Sequence, residues 1–470
     1  MRPTNFNVPS PLFDMIGIGF GPSNIALAIA LDELKHQPAQ RHTPKPSQDF
    51  LCCFLEKQTQ FLWHGGMLLP STDMQISFLK DLVSLRNPTS PFTFINYLRQ
   101  CNRLESFINR KTFFPSRVEF NAYLNWVATH FKNECHYGET VTSITPEFSS
   151  AHPGQVSALQ IHTHDAQGRE SLRRTKSLVI AAGGKAYIPE PFAACADARI
   201  THSSNYLTRL KQDTIDPQNP LSIAVVGAGQ SAAEILLDLH DRFPLAQIDL
   251  IMRASTLKPA DDSPSINEIF NPEYTDYFYA QPLHTRQALL KEFRHTNYAV
   301  VDLDLIEKIH AILYEQSVVG ESRLQLMTAT TIKNVSNSPE GITLKLEQTT
   351  SQQRLVKRYQ HIILATGYQR DTSQALLRGL EAHLPSINIG RNYRVETPAH
   401  FHPPIFVQGA SENTDGLSDT LLSVTAIRAQ EIAEALTQAL HPTTSAWQIS
   451  TQPEPRSERG QNTPFVEKMQ

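Results

Sequence analysis

Largely apolar runs at residues 13–16, 50–55, 178–182, 223–226 and 361–365 lack the alternation of a strand with one wet face. They predict short strands buried on both sides, the pattern of a parallel sheet. Between and after them, residues 25–34, 233–239 and 421–440 carry apolar positions at helical spacing. Two of these helices follow their strand through a glycine turn. The first is Gly17-Ile18-Gly19-Phe20-Gly21-Pro22-Ser23-Asn24, the second Gly227-Ala228-Gly229-Gln230-Ser231-Ala232. Glycines at such a turn let the chain reverse tightly and let a pyrophosphate approach the helix N-terminus. Two such turns in one chain predict two bound dinucleotides, as in a flavoprotein that takes hydride from a nicotinamide.

The order of elements predicts an α/β protein with two doubly wound, Rossmann-like dinucleotide-binding domains and a small substrate-binding region. The second nucleotide domain is expected as an insertion in the first. Residues 10–206 would begin the first domain, 207–345 form the second, and 346–441 return to the first and build the substrate region. Residues 36–49, rich in Pro, Gln and His, predict an exposed insertion, and the Pro/Ser/Thr/Gln-dominated stretch from Pro442 a disordered tail.

Composition narrows the class. A net charge of -4 gives no electrostatic case for nucleic acid or an anionic membrane. Cys52, Cys53, Cys101, Cys135 and Cys195 have neither zinc spacing nor a Cys-x-x-Cys pair, which fits reduced thiols and no metal site. The first ten residues are polar, without a signal core, and no run approaches the roughly 18 apolar residues of a membrane span. The expected location is the cytoplasm.

The two turns are distinguished by the residue that ends the next strand. Beyond the first, in which Asn24 stands where the third fingerprint glycine is usual, that residue is Glu56, and a carboxylate there accepts hydrogen bonds from a ribose. The alternative for Glu56 is a solvated strand-end charge. Beyond the second turn the corresponding strand ends at Arg253, which can pair with a 2′-phosphate that a carboxylate would repel. FAD is therefore expected at the first site and NADPH at the second. Cys52 and Cys53 are adjacent in a buried strand, which disfavours a disulfide reductase. An oxidase, a simple reductase and a monooxygenase remain.

The segment 73–88, running from Asp73-Met74-Gln75 through Lys80-Asp81 to Arg86-Asn87-Pro88, resembles the hallmark of the microbial amine N-hydroxylating flavin monooxygenases. So do Gly19 to Asn24, Lys258-Pro259-Ala260-Asp261-Asp262-Ser263-Pro264, Asn297-Tyr298, Ala365-Thr366-Gly367-Tyr368 and Gly416-Leu417-Ser418-Asp419-Thr420-Leu421-Leu422-Ser423. The blocks run in that family's order over about residues 12–435, and most resemble its L-ornithine N-monooxygenases of hydroxamate siderophore biosynthesis.

The resemblance implies N-hydroxylation of the L-ornithine side-chain amine with molecular oxygen, through a flavin hydroperoxide. It also implies a homo-tetramer. Lys80 would hold the substrate carboxylate, Asn267 and Asn297 its backbone groups and amine, and Ser423 with Leu422 would line substrate and flavin. Gln75 would lie near the flavin ring and the nicotinamide amide, and Ser231 and Arg253 would contact NADPH. Gly17, Gly19, Gly21, Pro22, Asn24, Glu56 and Thr366 would serve FAD, and Gly227, Gly229 and Gln230 the second nucleotide. Trp63 and His64 would pack near the flavin, or be a core tryptophan beside a satisfied histidine. Read without the resemblance, Lys80 is a solvated helix charge, and Asn267 and Asn297 are cap or turn residues. Lysine, putrescine and an uncoupled NADPH oxidase remain as alternatives.

Overall fold

A parallel five-stranded sheet holds the first turn. A computed structural model describes residues 11–36, 46–47, 49–213 and 215–440. Most of the predicted insertion at 36–49 falls outside them, and the tail from Pro442 entirely so. In the first sheet the order is Ile405–Val407, Leu178–Ile180, Met15–Ile18, Cys52–Glu56, Cys135–Tyr137. Met15–Ile18 is central and buried throughout, flanked in register by Cys52–Glu56 and Leu178–Ile180. Helix Pro22–His36 comes next and buries Asn24 through Leu31 and Leu34, packing against the last helix, Thr425–Leu440. That near-complete burial explains why its sequence is apolar on most faces.

The predicted strand at 13–16 is two pieces. Leu12–Phe13 pairs with Arg174 and Thr175 in a separate sheet with Thr140–Phe148, Val156–His164 and Glu170–Thr175. The switch occurs at Asp14, whose carboxylate accepts from the Leu51 N–H at 2.9 Å and from Lys176 Nζ at 2.8 Å.

The second sheet is also parallel and five-stranded, in the order Ile200–His202, His361–Leu364, Ser222–Val226, Gln247–Ile251, Leu324–Met327. Helices Gln230–Arg242 and Leu303–Val319 cover one face, and an antiparallel ribbon of Thr330–Ser338, Gly341–Gln348 and Arg354–Tyr359 covers the other. This sheet lies in sequence between strands of the first, so the predicted insertion of one nucleotide unit in the other is present.

Its limits differ from those expected. The second sheet opens with Ile200–His202, before residue 207, and closes with His361–Leu364, after residue 345. The sequence pattern assigns the run at 361–365 to the first sheet, but Ile405–Val407 takes that place instead. A strand buried on both faces carries the same apolar pattern in either sheet, so its sequence is silent about its neighbours. The final helix starts at Thr425 rather than 421, after a tight turn at Leu422–Val424. No described helix is long and apolar enough to cross a membrane.

Candidate functional site

The first turn is built from close approaches. Gly19 has φ +83°, and a Cβ there would lie 2.5 Å from the Ala181 carbonyl oxygen, so only glycine fits. A Cβ on Gly17 would meet the Phe54 ring at 2.4 Å, whereas one on Gly21 would meet nothing within 4 Å. Gly21 thus opens a cradle at the N-terminus of Pro22–His36, where Pro22 needs no N–H partner. Asn24 is fully buried, with Nδ2 donating to the Gly19 carbonyl at 2.7 Å and Oδ1 accepting from Gln408 Nε2 at 3.0 Å. It braces the turn from within.

Glu56 stands beside this turn. One carboxylate oxygen accepts from the Phe20 N–H at 2.8 Å and the other from the Gln58 N–H at 2.9 Å. A carboxylate offers about four lone-pair positions, so capacity for a ribose hydroxyl remains. His64 is held in left-handed backbone geometry, φ 50° and ψ 40°, with its ring 4.6 Å from Trp63 and 6.2 Å from Tyr368. Trp63 also packs 5.9 Å from Phe120, part-buried against the core, while His64 is exposed. Thr366 donates its hydroxyl to the Tyr187 carbonyl, tying together the two segments that run between the sheets.

The second turn has the same logic. A Cβ on Gly227 would lie 2.4 Å from the Ala365 carbonyl oxygen, and Gly229 is the N-cap of Gln230–Arg242. Ser231 is part-buried in the first turn of that helix. Arg253, just past Gln247–Ile251, is exposed and makes no ion pair among the described residues. Gly229 faces Ala299, so the loop carrying Asn297 lies against this turn. Tyr298 donates its hydroxyl to Glu412, anchoring the same loop three residues before Asp415 and the segment leading to Ser423.

A continuous polar chain joins the two nucleotide units. Arg117 Nη1 and Nη2 grip Glu234 at 2.8 and 2.7 Å, and Nη1 also donates to the Met67 carbonyl at 3.0 Å. Glu234 accepts from Gln230 at 3.1 Å, Gln230 donates to Asp302 at 2.8 Å, and Gln75 Nε2 donates to Asp302 at 2.9 Å. Gln75 and Gln230, far apart in the chain, are thus brought to one carboxylate.

The expected substrate residues are less tightly connected. Lys80 is half-buried, and loss of surrounding water lowers its pKa from the usual lysine value. It has no carboxylate partner among the described residues. Asn267 is exposed, its Nδ2 donating to the Asp262 carbonyl at 2.8 Å; Asn297 is part-buried and Ser423 buried. No hydrogen bond links these four side chains to one another among the described residues.

The family model for L-lysine 6-monooxygenase/L-ornithine 5-monooxygenase matches residues 11–370, well over half of the chain. The chain belongs to that family. Within the lysine/ornithine monooxygenases, it is 46% identical to the L-ornithine N(5)-monooxygenase of Pseudomonas aeruginosa, over 94% of this chain and 98% of the relative. The solved structure of the ornithine hydroxylase PvdA from that organism superposes with a TM-score of 0.85, at 46% identity, covering 92% of this chain and all of that one. The ornithine N-hydroxylase KtzI of Kutzneria sp. 744, determined with reduced FAD, NADP+ and L-ornithine, superposes with a TM-score of 0.82 at 32% identity, covering 91% and 99%.

Arg117, Glu234 and Asp302 have no signal in the sequence of this lysine/ornithine monooxygenase. Each is one charged residue among many, and only the fold brings them together. Arg428 is hidden in the same way. It is 2% exposed on the last helix, with Nη1 bonded to Asp419 at 2.9 Å and Nη2 to Ser23 Oγ at 2.9 Å. Ser23 belongs to the first glycine turn, so Arg428 joins that turn to the 416–423 segment.

Proposed function

We propose that this protein is an FAD- and NADPH-dependent L-ornithine N-monooxygenase supplying hydroxyornithine for hydroxamate siderophores. The observation that carries the reading is the pair of glycine cradles on two parallel sheets, one beside Glu56 and the other beside Arg253. FAD belongs at the first and NADPH at the second, since the exposed Arg253 has no carboxylate partner among the described residues. When bound, the two cofactors supply hydride and activated oxygen. The protein acts in the cytoplasm as a homo-tetramer, with no nucleic-acid or membrane partner.

The chain's own residues would bind and orient the amino acid. Lys80, already stripped of part of its water, meets the substrate carboxylate. Asn267 and Asn297 offer neutral amides to the backbone groups and the amine, and Ser423 with Leu422 closes the wall. Neutral partners matter because the amine must react uncharged. For an alkyl amine of pKa ~10.4 at about pH 7.5, deprotonation costs about 4 kcal/mol. An aspartate in either position would hold the ammonium form and raise that cost.

Turnover with ornithine, lysine and putrescine, scoring hydroxylamine against hydrogen peroxide, tests the reading. Hydroxylamine from ornithine alone is expected. Product mainly from putrescine would remove the carboxylate argument, and peroxide alone would leave an NADPH oxidase.

Arg253→Ala is expected to erode the preference for NADPH over NADH by about tenfold, the loss of one charge-assisted contact. The ratio of kcat/KM values for the two cofactors checks it. Equal use of both by the parent protein would remove the 2′-phosphate role.

A further inference from the structure

Asp302 occupies the N-cap position of helix Leu303–Val319, yet its side chain makes no cap hydrogen bond. Aspartate at an N-cap normally accepts from the backbone N–H groups of the first turn. Here the carboxylate turns to two glutamines instead, with Oδ1 accepting from Gln75 Nε2 at 2.9 Å and Oδ2 from Gln230 Nε2 at 2.8 Å. The Asp302 N–H in turn donates to Gln230 Oε1 at 2.9 Å.

These contacts decide which way both amides face. A carboxylate only accepts, so each glutamine must present its NH2 to Asp302. Gln230 is then fully occupied, because its second N–H goes to Glu234 and its oxygen receives the Asp302 N–H. Gln75 is not. Its NH2 is held, while its carbonyl oxygen has no partner among the described residues and the residue is exposed.

We infer that Asp302 is a positioning residue for the nicotinamide end of the second nucleotide, fixing Gln75 with its oxygen outward to accept from a carboxamide NH2. The inference rests on the reading of Gln75 as a neighbour of the nicotinamide. It adds a residue that no sequence block marked and a reason for the amide's orientation. Asp302→Asn would leave one amide facing Gln75 and Gln230 with a donor as well as an acceptor, so one of the two glutamines must turn over.

The test compares two probes on the FAD-loaded protein by titration calorimetry: NADP+, and adenosine 2′,5′-bisphosphate, which lacks the nicotinamide. Asp302→Asn should raise the Kd for NADP+ by about tenfold, the upper end for the loss of one neutral amide hydrogen bond, with the Kd for the bisphosphate unchanged within about twofold. In a Gln75→Ala background the same substitution should add less than about twofold, since coupled residues are not additive. Unaltered FAD content and thermal unfolding establish that the variants are folded. Equal weakening of both probes would overturn the inference in favour of general support for the second turn. Weakened NADP+ binding in Gln75→Ala but not in Asp302→Asn would overturn it alone. A silent Gln75→Ala would remove the nicotinamide reading of Gln75 and the inference with it.

Discussion

Replacing Lys80 with alanine should raise the KM for ornithine on the order of 100-fold while leaving flavin reduction by NADPH and FAD content nearly unchanged. Loss of a charge-assisted hydrogen bond costs about 1.5–3 kcal/mol, and each 1.4 kcal/mol is about tenfold. The upper end applies because the substrate carboxylate would enter a partly dry pocket with no other cation assigned to it. Lys80 sits on the segment that carries Gln75, outside both glycine turns, so its removal need not disturb either cofactor. A pH profile adds a sign. Burial lowers the Lys80 pKa, so its charge is lost as pH rises sooner than on a free lysine side chain. The KM of the parent protein should therefore climb on the alkaline side, beyond what substrate titration alone produces, and Lys80→Ala should lack that component. Steady-state KM together with stopped-flow flavin reduction measures both. An unchanged KM would place the carboxylate elsewhere.

The cofactor-binding frame is legible because its signals are local. At Gly19 and Gly227 backbone oxygens of other strands occupy the space of a side chain, so glycine is required and the turn shows in the sequence. The buried run at 50–55 likewise announces the strand that delivers Glu56. The features that escape depend on distant pairing. The run His361–Leu364 looks the same in either sheet, and the expected domain limits put it in the wrong one. The antiparallel ribbons at 140–175 and 330–359 mix apolar and polar positions, with bulges that shift the alternation, and offer no readable strand pattern. Asp302, Glu234 and Arg117 become legible only once segments distant in sequence meet. Lys80 and Asn297 are the intermediate case. Spacing makes them ordinary surface residues, and the family resemblance alone singles them out.

Arg428 carries the largest stability prediction. Arg428→Met should destabilise the protein by about 3–5 kcal/mol, the usual consequence of removing one partner of a buried pair. The guanidinium is 2% exposed, holds Asp419 and Ser23, and lies 5.8 Å from the Tyr393 ring. Asp419 is as deeply buried, its carboxylate also accepting from the Ser411 N–H at 2.8 Å. Methionine would fill much of the volume but leave that carboxylate with no ion-pair partner. It would also withdraw positive charge from Asp415, whose pKa is already pushed up to about 8, first by burial and then by Asp419. The pH dependence comes from Asp415. An acid whose folded pKa lies above its unfolded value of about 3.9 makes stability fall as pH rises between the two. Removing Arg428 raises the folded value of Asp415 further, so the deficit should be larger at pH 8 than at pH 6. Urea unfolding of the FAD-loaded protein at the two pH values reads this directly. Adding Asp419→Asn to Arg428→Met should restore part of the loss, because a neutral buried pair carries no uncompensated charge. A deficit that is the same at both pH values and is not relieved by Asp419→Asn would mean that Arg428 contributes packing rather than charge. Because Ser23 lies in the first glycine turn, FAD retention should fall in step with stability in Arg428→Met and recover with it in the double variant.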